Sequence, residues 1–204
     1  EDKKIKGPGY PGVLFPSMKH FIKKKKLIVA IYEEDTPPFY YKDANGDTKG
    51  VDVDIARTIA KNIHPDIELE ITRKPKTFND VIDVVSRGEA DIGVSLLSYT
   101  TQRSRKVYYT KTPYINVRMA LFVSQLAISQ SGDTPTLSKI FSEKNNRTLC
   151  VIDGSSYAEV AKRVLPYAKL VSVKSSKDLL PSVTSGKCFA FFEDDQGIRK
   201  RLIK

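Results

Sequence analysis

Ala90-Asp91-Ile92-Gly93-Val94-Ser95, followed after a gap of four residues by Thr100-Thr101-Gln102-Arg103, is the stretch on which the reading of this chain turns. Ile92 to Val94 form a short apolar run bounded by polar residues, the pattern of a buried strand. Working back from it, Phe78, Val81, Ile82 and Val85 recur at helical spacing, and Gly88 closes that helix. Before them Ile67, Leu69 and Ile71 alternate as a strand. Earlier still, Gly50-Val51-Asp52-Val53-Asp54-Ile55-Ala56 opens a helix, whose positions Ile55, Ala56, Ile59, Ala60 and Ile63 give one apolar face. Asn45-Gly46 marks a tight turn, and Leu27 to Ile31 read as a buried parallel strand. The sum is a strand-helix-strand-helix-strand unit, which predicts an α/β sheet flanked by helices.

Working forward, Pro113-Tyr114-Ile115 leads into a strand at Met119 to Val123, and the pattern then restarts. A polar loop at Ser129 to Pro135 precedes a helix around Leu137 to Phe141. Strand Leu149 to Ile152, helix Ala158 to Leu165, strand Leu170 to Val173, helix Leu179 to Val183 and strand Phe189 to Phe192 follow, and a last helix begins near Asp195. Three segments are therefore expected: an amino-terminal extension 1–24, a first lobe 25–118 and a second lobe 119–204. The extension, with Gly7-Pro8-Gly9-Tyr10-Pro11-Gly12 and then a mixed basic segment, reads as punctuation and not as a core element.

Composition narrows the class. The chain has 34 basic against 24 acidic residues, net +10, but the cations are spread over Lys23 to Lys26, Lys74 and Lys76, Arg103 to Lys106 and Arg199 to Lys204. No basic patch is interleaved with regularly spaced aromatics, so a solvated surface is favoured and nucleic acid is not an expected partner. No apolar run approaches the roughly 20 residues needed to cross a bilayer. The opening Glu1-Asp2-Lys3-Lys4 has no signal-peptide apolar core, so a secreted protein would be represented here in processed form. Two cysteines, Cys150 and Cys188, and two isolated histidines, His20 and His64, lack metal-ligand spacing, and the sequence implies neither metal nor cofactor.

The Gly50 to Ala56 and Ala90 to Arg103 segments, in that order, resemble the extracellular solute-binding proteins of family 3, over roughly Leu27 to Leu202. The resemblance implies a two-lobe, periplasmic-binding-protein-like (type II) α/β fold with a ligand cleft between the lobes. It also implies that the carboxyl-terminal return to the first lobe, usual in the family, is missing. Family topology makes the strands carrying Cys150 and Cys188 neighbours. Both a disulfide in an oxidising compartment and two buried free thiols remain open on the sequence.

The same resemblance suggests a site. A free amino acid offers a carboxylate and an ammonium, so its receptor needs a forked cation, an acid and neutral donors. Arg103 matches the family arginine that grips the α-carboxylate, a task suited to a planar guanidinium. Ser98 matches a small hydroxyl residue that contacts ligand, and Leu96 falls in the same segment. Asp194, in Phe192-Glu193-Asp194-Asp195, matches the strand-end aspartate that holds the amine, although a helix N-cap is the other reading of it. Ser155 and Ser156, in Asp153-Gly154-Ser155-Ser156-Tyr157, resemble a turn at a helix start that binds the carboxylate from the opposite side. Glu33, Thr36, Phe39 and Phe78 are expected as first-lobe walls. Glu33 is placed to meet a cationic side chain, and the aromatic often found at the Thr36 position is absent.

The function implied is capture of an L-amino acid, basic or polar, by cleft closure, for the membrane permease of an ABC-type transporter. A monomer in the periplasm or outside the cell, with surface anchoring one arrangement, is expected. The alternatives are a ligand-sensing domain of a larger receptor or cell-wall enzyme, and a dehydratase-like enzyme on the same fold. No hydrolase triad, phosphate-binding loop or metal centre is recognisable, so the chain reads as a binder and not an enzyme.

Overall fold

The computed structural model describes residues 16–129 and 136–197. The chain divides into two compact units, Glu1–Tyr109 and Thr110–Lys204. In the first, helix α1 (Pro16–Lys24) leads into β1 (Lys26–Ala30), and a short hairpin of β2 (Tyr41–Lys42) and β3 (Thr48–Lys49) follows. Then come α2 (Val51–Ile63), β4 (Glu68–Thr72), α3 (Phe78–Ser86), β5 (Ile92–Gly93) and the single turn α4 (Thr101–Ser104). The strands form a parallel sheet in the order β4-β1-β5, with Leu27 opposite Leu69 and Val29 opposite both Ile71 and Ile92. Central β1 contributes Leu27 and Val29 to a core shared with Ile31, Tyr40, Val53 and Val81. Burying each such aliphatic side chain stabilises by roughly 1.5–3 kcal/mol.

Three details differ from the sequence expectation. Residues 1–15 of the predicted extension lie outside the described residues, but α1 belongs to the first unit: Phe21 packs against its core and Lys24 Nζ pairs with Asp91 at 3.0 Å. The buried stripe of α2 runs through Asp52, Val53, Ala56 and Ala60, leaving Ile59 36% exposed. The boundary between units falls at 109/110 and not at 118/119. Arg118, the last residue before the expected boundary, is tied to the second unit, the Asp195 N–H donating to its carbonyl at 2.8 Å.

Gly50, at the head of the first motif, is required by geometry. Its φ is +122°, and a Cβ there would sit 2.3 Å from the Phe39 carbonyl oxygen. Only glycine fits this approach. It lets the backbone N–H groups of Val51 and Asp52 donate to the carbonyls of Pro38 and Phe39, fixing the loop after β1 against the start of α2.

The second unit contains β6 (Met119–Val123), α5 (Gln125–Ser129), α6 (Leu137–Ile140), β7 (Thr148–Ile152), α7 (Tyr157–Val164) and β8 (Lys169–Val173). A 3-10 turn (Ser176–Asp178), α8 (Leu179–Thr184) and β9 (Ala190–Asp194) complete it. Most of the predicted Ser129 to Pro135 loop lies outside the described residues, as does the last helix beyond residues 195–197. The sheet order is β6-β9-β7-β8, with β6 antiparallel to β9 and β7 parallel to both its neighbours. Leu149 and Val151 pack with Phe141, Ala161, Ala190 and Phe192. Cys150, pointing to the other face by strand alternation, is bonded to Cys188, with the two Cα atoms 5.7 Å apart. Of the two sequence readings, the disulfide is the one found.

Candidate functional site

The carboxyl ends of the parallel strands collect the chemistry in each unit, as expected for open α/β sheets. In the first unit β5 ends at Gly93, and Ser95 then ties two loops together. Its hydroxyl accepts from the Tyr32 N–H at 2.9 Å and donates to the Val94 carbonyl at 2.7 Å. Leu96 follows with φ +51°, an uncommon conformation for a non-glycine residue and one that clusters where backbone is held for function.

Arg103 sits on α4, whose N-cap Thr100 accepts from the Arg103 N–H. The side chain turns inward and the residue is only 6% exposed. Nε and Nη2 both donate to Asn79 Oδ1, at 3.3 and 3.2 Å, and Nη1 donates to the Ser98 carbonyl at 3.2 Å. The same carbonyl accepts from the Tyr109 hydroxyl at 3.1 Å. Burial raises the Tyr109 pKa, with Arg103 opposing that rise. Ser98 thus meets both Arg103 and Tyr109 through its backbone carbonyl. Asn79 was not singled out at all, and only its place in the first turn of α3, after the Thr77 cap, marks it.

Phe78, its neighbour, packs its ring on Tyr32 with centroids 4.7 Å apart. That contact links the Arg103 cluster to the loop carrying Glu33 and Thr36. Thr36 closes a tight turn, donating its N–H to the Tyr40 carbonyl at 2.7 Å. Glu33 is exposed, with its backbone N–H bonded to the Pro75 carbonyl at 3.0 Å. Phe39 is half-buried against the first core. Burial pushes the Tyr32 and Tyr40 hydroxyls well above the usual tyrosine range, with Glu34 adding to the rise at Tyr32.

In the second unit the turn after β7 is closed by the Ser155 N–H donating to the Ile152 carbonyl at 3.1 Å. Ser155 Oγ is buried with no hydrogen-bond partner among the described residues, and Ser156, at the N-cap of α7, makes no side-chain cap bond. Asp194 ends β9. Its Oδ1 accepts from the Gly197 N–H at 2.7 Å and its Oδ2 from the Tyr157 hydroxyl at 3.3 Å. The capping role weighed from sequence thus falls to Asp194 itself, while Asp195 binds the Arg118 backbone. A carboxylate has about four lone-pair sites, so these two bonds leave it able to accept more. Burial, and then the Asp194 charge, drive the Tyr157 pKa far upward.

Residues 28–186 match the bacterial extracellular solute-binding proteins, family 3. The chain belongs to that family. Among curated family relatives, the glutamine-binding protein of Geobacillus stearothermophilus is 24% identical over 85% of this chain and 62% of its own length. ABC transporter arginine-binding protein 1 of Escherichia coli (strain K12) is 23% identical over 81% of this chain and 62% of itself. The chain thus spans somewhat less than two thirds of either relative. Of the solved structures, an ancestral amino acid-binding protein, a precursor of cyclohexadienyl dehydratase, aligns with a TM-score of 0.70 and 25% identity. It covers 91% of this chain and 78% of that one. These matches agree with the α/β, type II periplasmic-binding-protein class read from the sequence.

Two negative observations complete the site. Among the described residues, no three His, Cys, Asp or Glu side chains gather so as to hold a metal ion, and no helix is long and apolar enough to cross a membrane. A cavity of about 570 Å³ does open in the second unit, lined by Asn146, Arg147, Thr184, Cys188 and Phe189 among others. It lies at the amino ends of β7 and β9, the opposite end of those strands from Ser155 and Asp194.

Proposed function

We propose that this chain captures a free L-amino acid, basic or polar, in the periplasm or at the cell surface and delivers it as a monomer to the permease of an ABC transporter. Closure of its two lobes would enclose the ligand. One observation carries the reading: Arg103 is a 6% exposed cation whose fork is oriented by neutral oxygens of Asn79 and Ser98. A guanidinium so held is prepared for a bidentate bond to a carboxylate at little further cost in side-chain entropy. In this assignment Arg103 takes the α-carboxylate, assisted by Ser98 and by the Ser155 and Ser156 turn. Asp194 takes the α-ammonium, and Glu33 meets the ligand side chain. Leu96, Thr36, Phe39 and Phe78 form the walls.

The names of the relatives, glutamine- and arginine-binding proteins, support this class of ligand. A thermal-shift screen of the chain against the common amino acids tests it. Ligand at a hundred times its dissociation constant adds about 2.7 kcal/mol of stability, and the ligand is recovered unchanged. No shift with any amino acid, or turnover of a cyclic carboxylic acid, would contradict the assignment.

A further inference from the structure

Arg73 follows the last residue of β4 and belongs to no sequence motif. Its side chain is 10% exposed, and its guanidinium is spent on a single loop. Nε donates to the Tyr32 carbonyl at 2.7 Å. Nη2 donates to the Glu33 carbonyl at 2.7 Å and to the Asp35 carboxylate at 2.9 Å. Its Cζ lies 5.6 Å from the centre of the Tyr40 ring, which packs beneath it. A largely buried cation is retained only where its charge is answered; here a backbone turn and one acid answer Nε and Nη2, while Nη1 is buried with no hydrogen-bond partner among the described residues.

That loop carries three consecutive acids, Glu33-Glu34-Asp35, and the structure treats each differently. Glu34 accepts from the Tyr32 hydroxyl at 3.1 Å. Asp35 is taken by Arg73. Glu33 is gripped through its backbone on both sides, its N–H by Pro75 and its carbonyl by Arg73. Its carboxylate, exposed, makes no hydrogen bond or ion pair among the described residues. Without a forked donor at position 73, the acid nearest the cation would be a matter of competition between neighbours. Lysine, with one compact ammonium, cannot hold two carbonyls and a carboxylate in one plane.

We propose that Arg73 is a positioning residue for ligand specificity. By engaging Asp35 and the carbonyls of Tyr32 and Glu33, it leaves the Glu33 carboxylate as the counter-charge for a cationic ligand side chain. The proposal rests on the amino-acid-binding reading and adds a residue outside the set assigned there.

Calorimetry with L-arginine and L-glutamine tests it on the wild-type 204-residue chain, Arg73→Lys, Glu33→Gln and the double variant. Arg73→Lys keeps the charge and loses the fork. The preference for arginine over glutamine then falls about tenfold or more, almost wholly through arginine. In the Glu33→Gln background the same change leaves the preference where it was, because Arg73 acts through Glu33. Equal loss for both ligands, or an undiminished change in the Glu33→Gln background, would overturn the proposal by showing a general structural role. A wild type that binds both ligands equally would overturn it too, while leaving amino-acid capture standing. Binding of neither ligand, nor of any other amino acid, would instead remove the reading beneath it. Should Arg73→Lys fail to fold by circular dichroism, Asp35→Asn frees one arm of the fork from the exposed side. At high salt, where through-space attraction is screened, it lowers the arginine preference, and an unchanged preference overturns the proposal.

Discussion

In the first unit the loops beyond β1 and β5 are fastened by two arginines, Arg73 partly buried and Arg103 buried, each donating to backbone oxygen. In the second unit the corresponding end of β9 is held by a carboxylate, Asp194, and Cys150–Cys188 ties β7 to the segment just before β9. Sheet position differs as well: β9 lies between β7 and β6, whereas β5 pairs only with β1 among the described residues. The same strand-helix alternation has therefore been secured in two ways. Charge-assisted bonds fix side chains and loops in a set orientation, which suits a binding wall. A covalent bridge between β7 and the approach to β9 constrains the chain without orienting any particular group.

That contrast can be broken most forcefully at the disulfide. Replacing both cysteines with serine removes a cross-link between residues 38 apart, which the chain-entropy argument values at about 4 kcal/mol. The loss is confined to the second unit: hydrogen exchange quickens in β7 to β9 and stays unchanged in β1, β4 and β5. Equal acceleration in both sheets would show that the units do not differ in this way.

The complementary change in the first unit is Gly50→Ala. A methyl group forced to within 2.3 Å of the Phe39 carbonyl, on a backbone at φ +122°, costs at least about 2 kcal/mol. Denaturant unfolding measures it, with exchange quickening around α2 and the β1 loop. A neutral result would mean that the loop relaxes freely and is not a fixed wall.

The smallest of these effects is at Tyr157. Tyr157→Phe removes one donor from Asp194 and costs about 1 kcal/mol. Asp194 keeps its Gly197 bond, so the start of the following helix survives. A loss as large as that from the disulfide would make the hydroxyl, and not the cross-link, the main fastening of the second unit.

How far these features were legible depends on whether they leave a local pattern. Leu27 to Ile31 and Leu149 to Ile152 announce central strands because parallel strands buried on both faces must be continuously apolar. Arg103 stands out in the sequence because the Ala90 to Arg103 segment resembles the family's motif. Asn79, which orients it, is 24 residues away and Arg73 is about 40 from the loop it holds, and such convergence creates no periodicity. Helical spacing gave the direction of the α2 face but not its width, so Ile59 was assigned inward while Asp52 took the buried place. The helix α1 was hidden by the Gly/Pro segment before it and the lysine run at its end, with Phe21 its single core residue singled out above.

The central claim is that Arg103 is a prepared carboxylate receptor. Calorimetry of Arg103→Ala with the ligand from the thermal-shift screen tests it most directly. The account predicts loss of about 2–5 kcal/mol of binding free energy with unchanged circular dichroism. Near-wild-type affinity in a folded Arg103→Ala chain would contradict it.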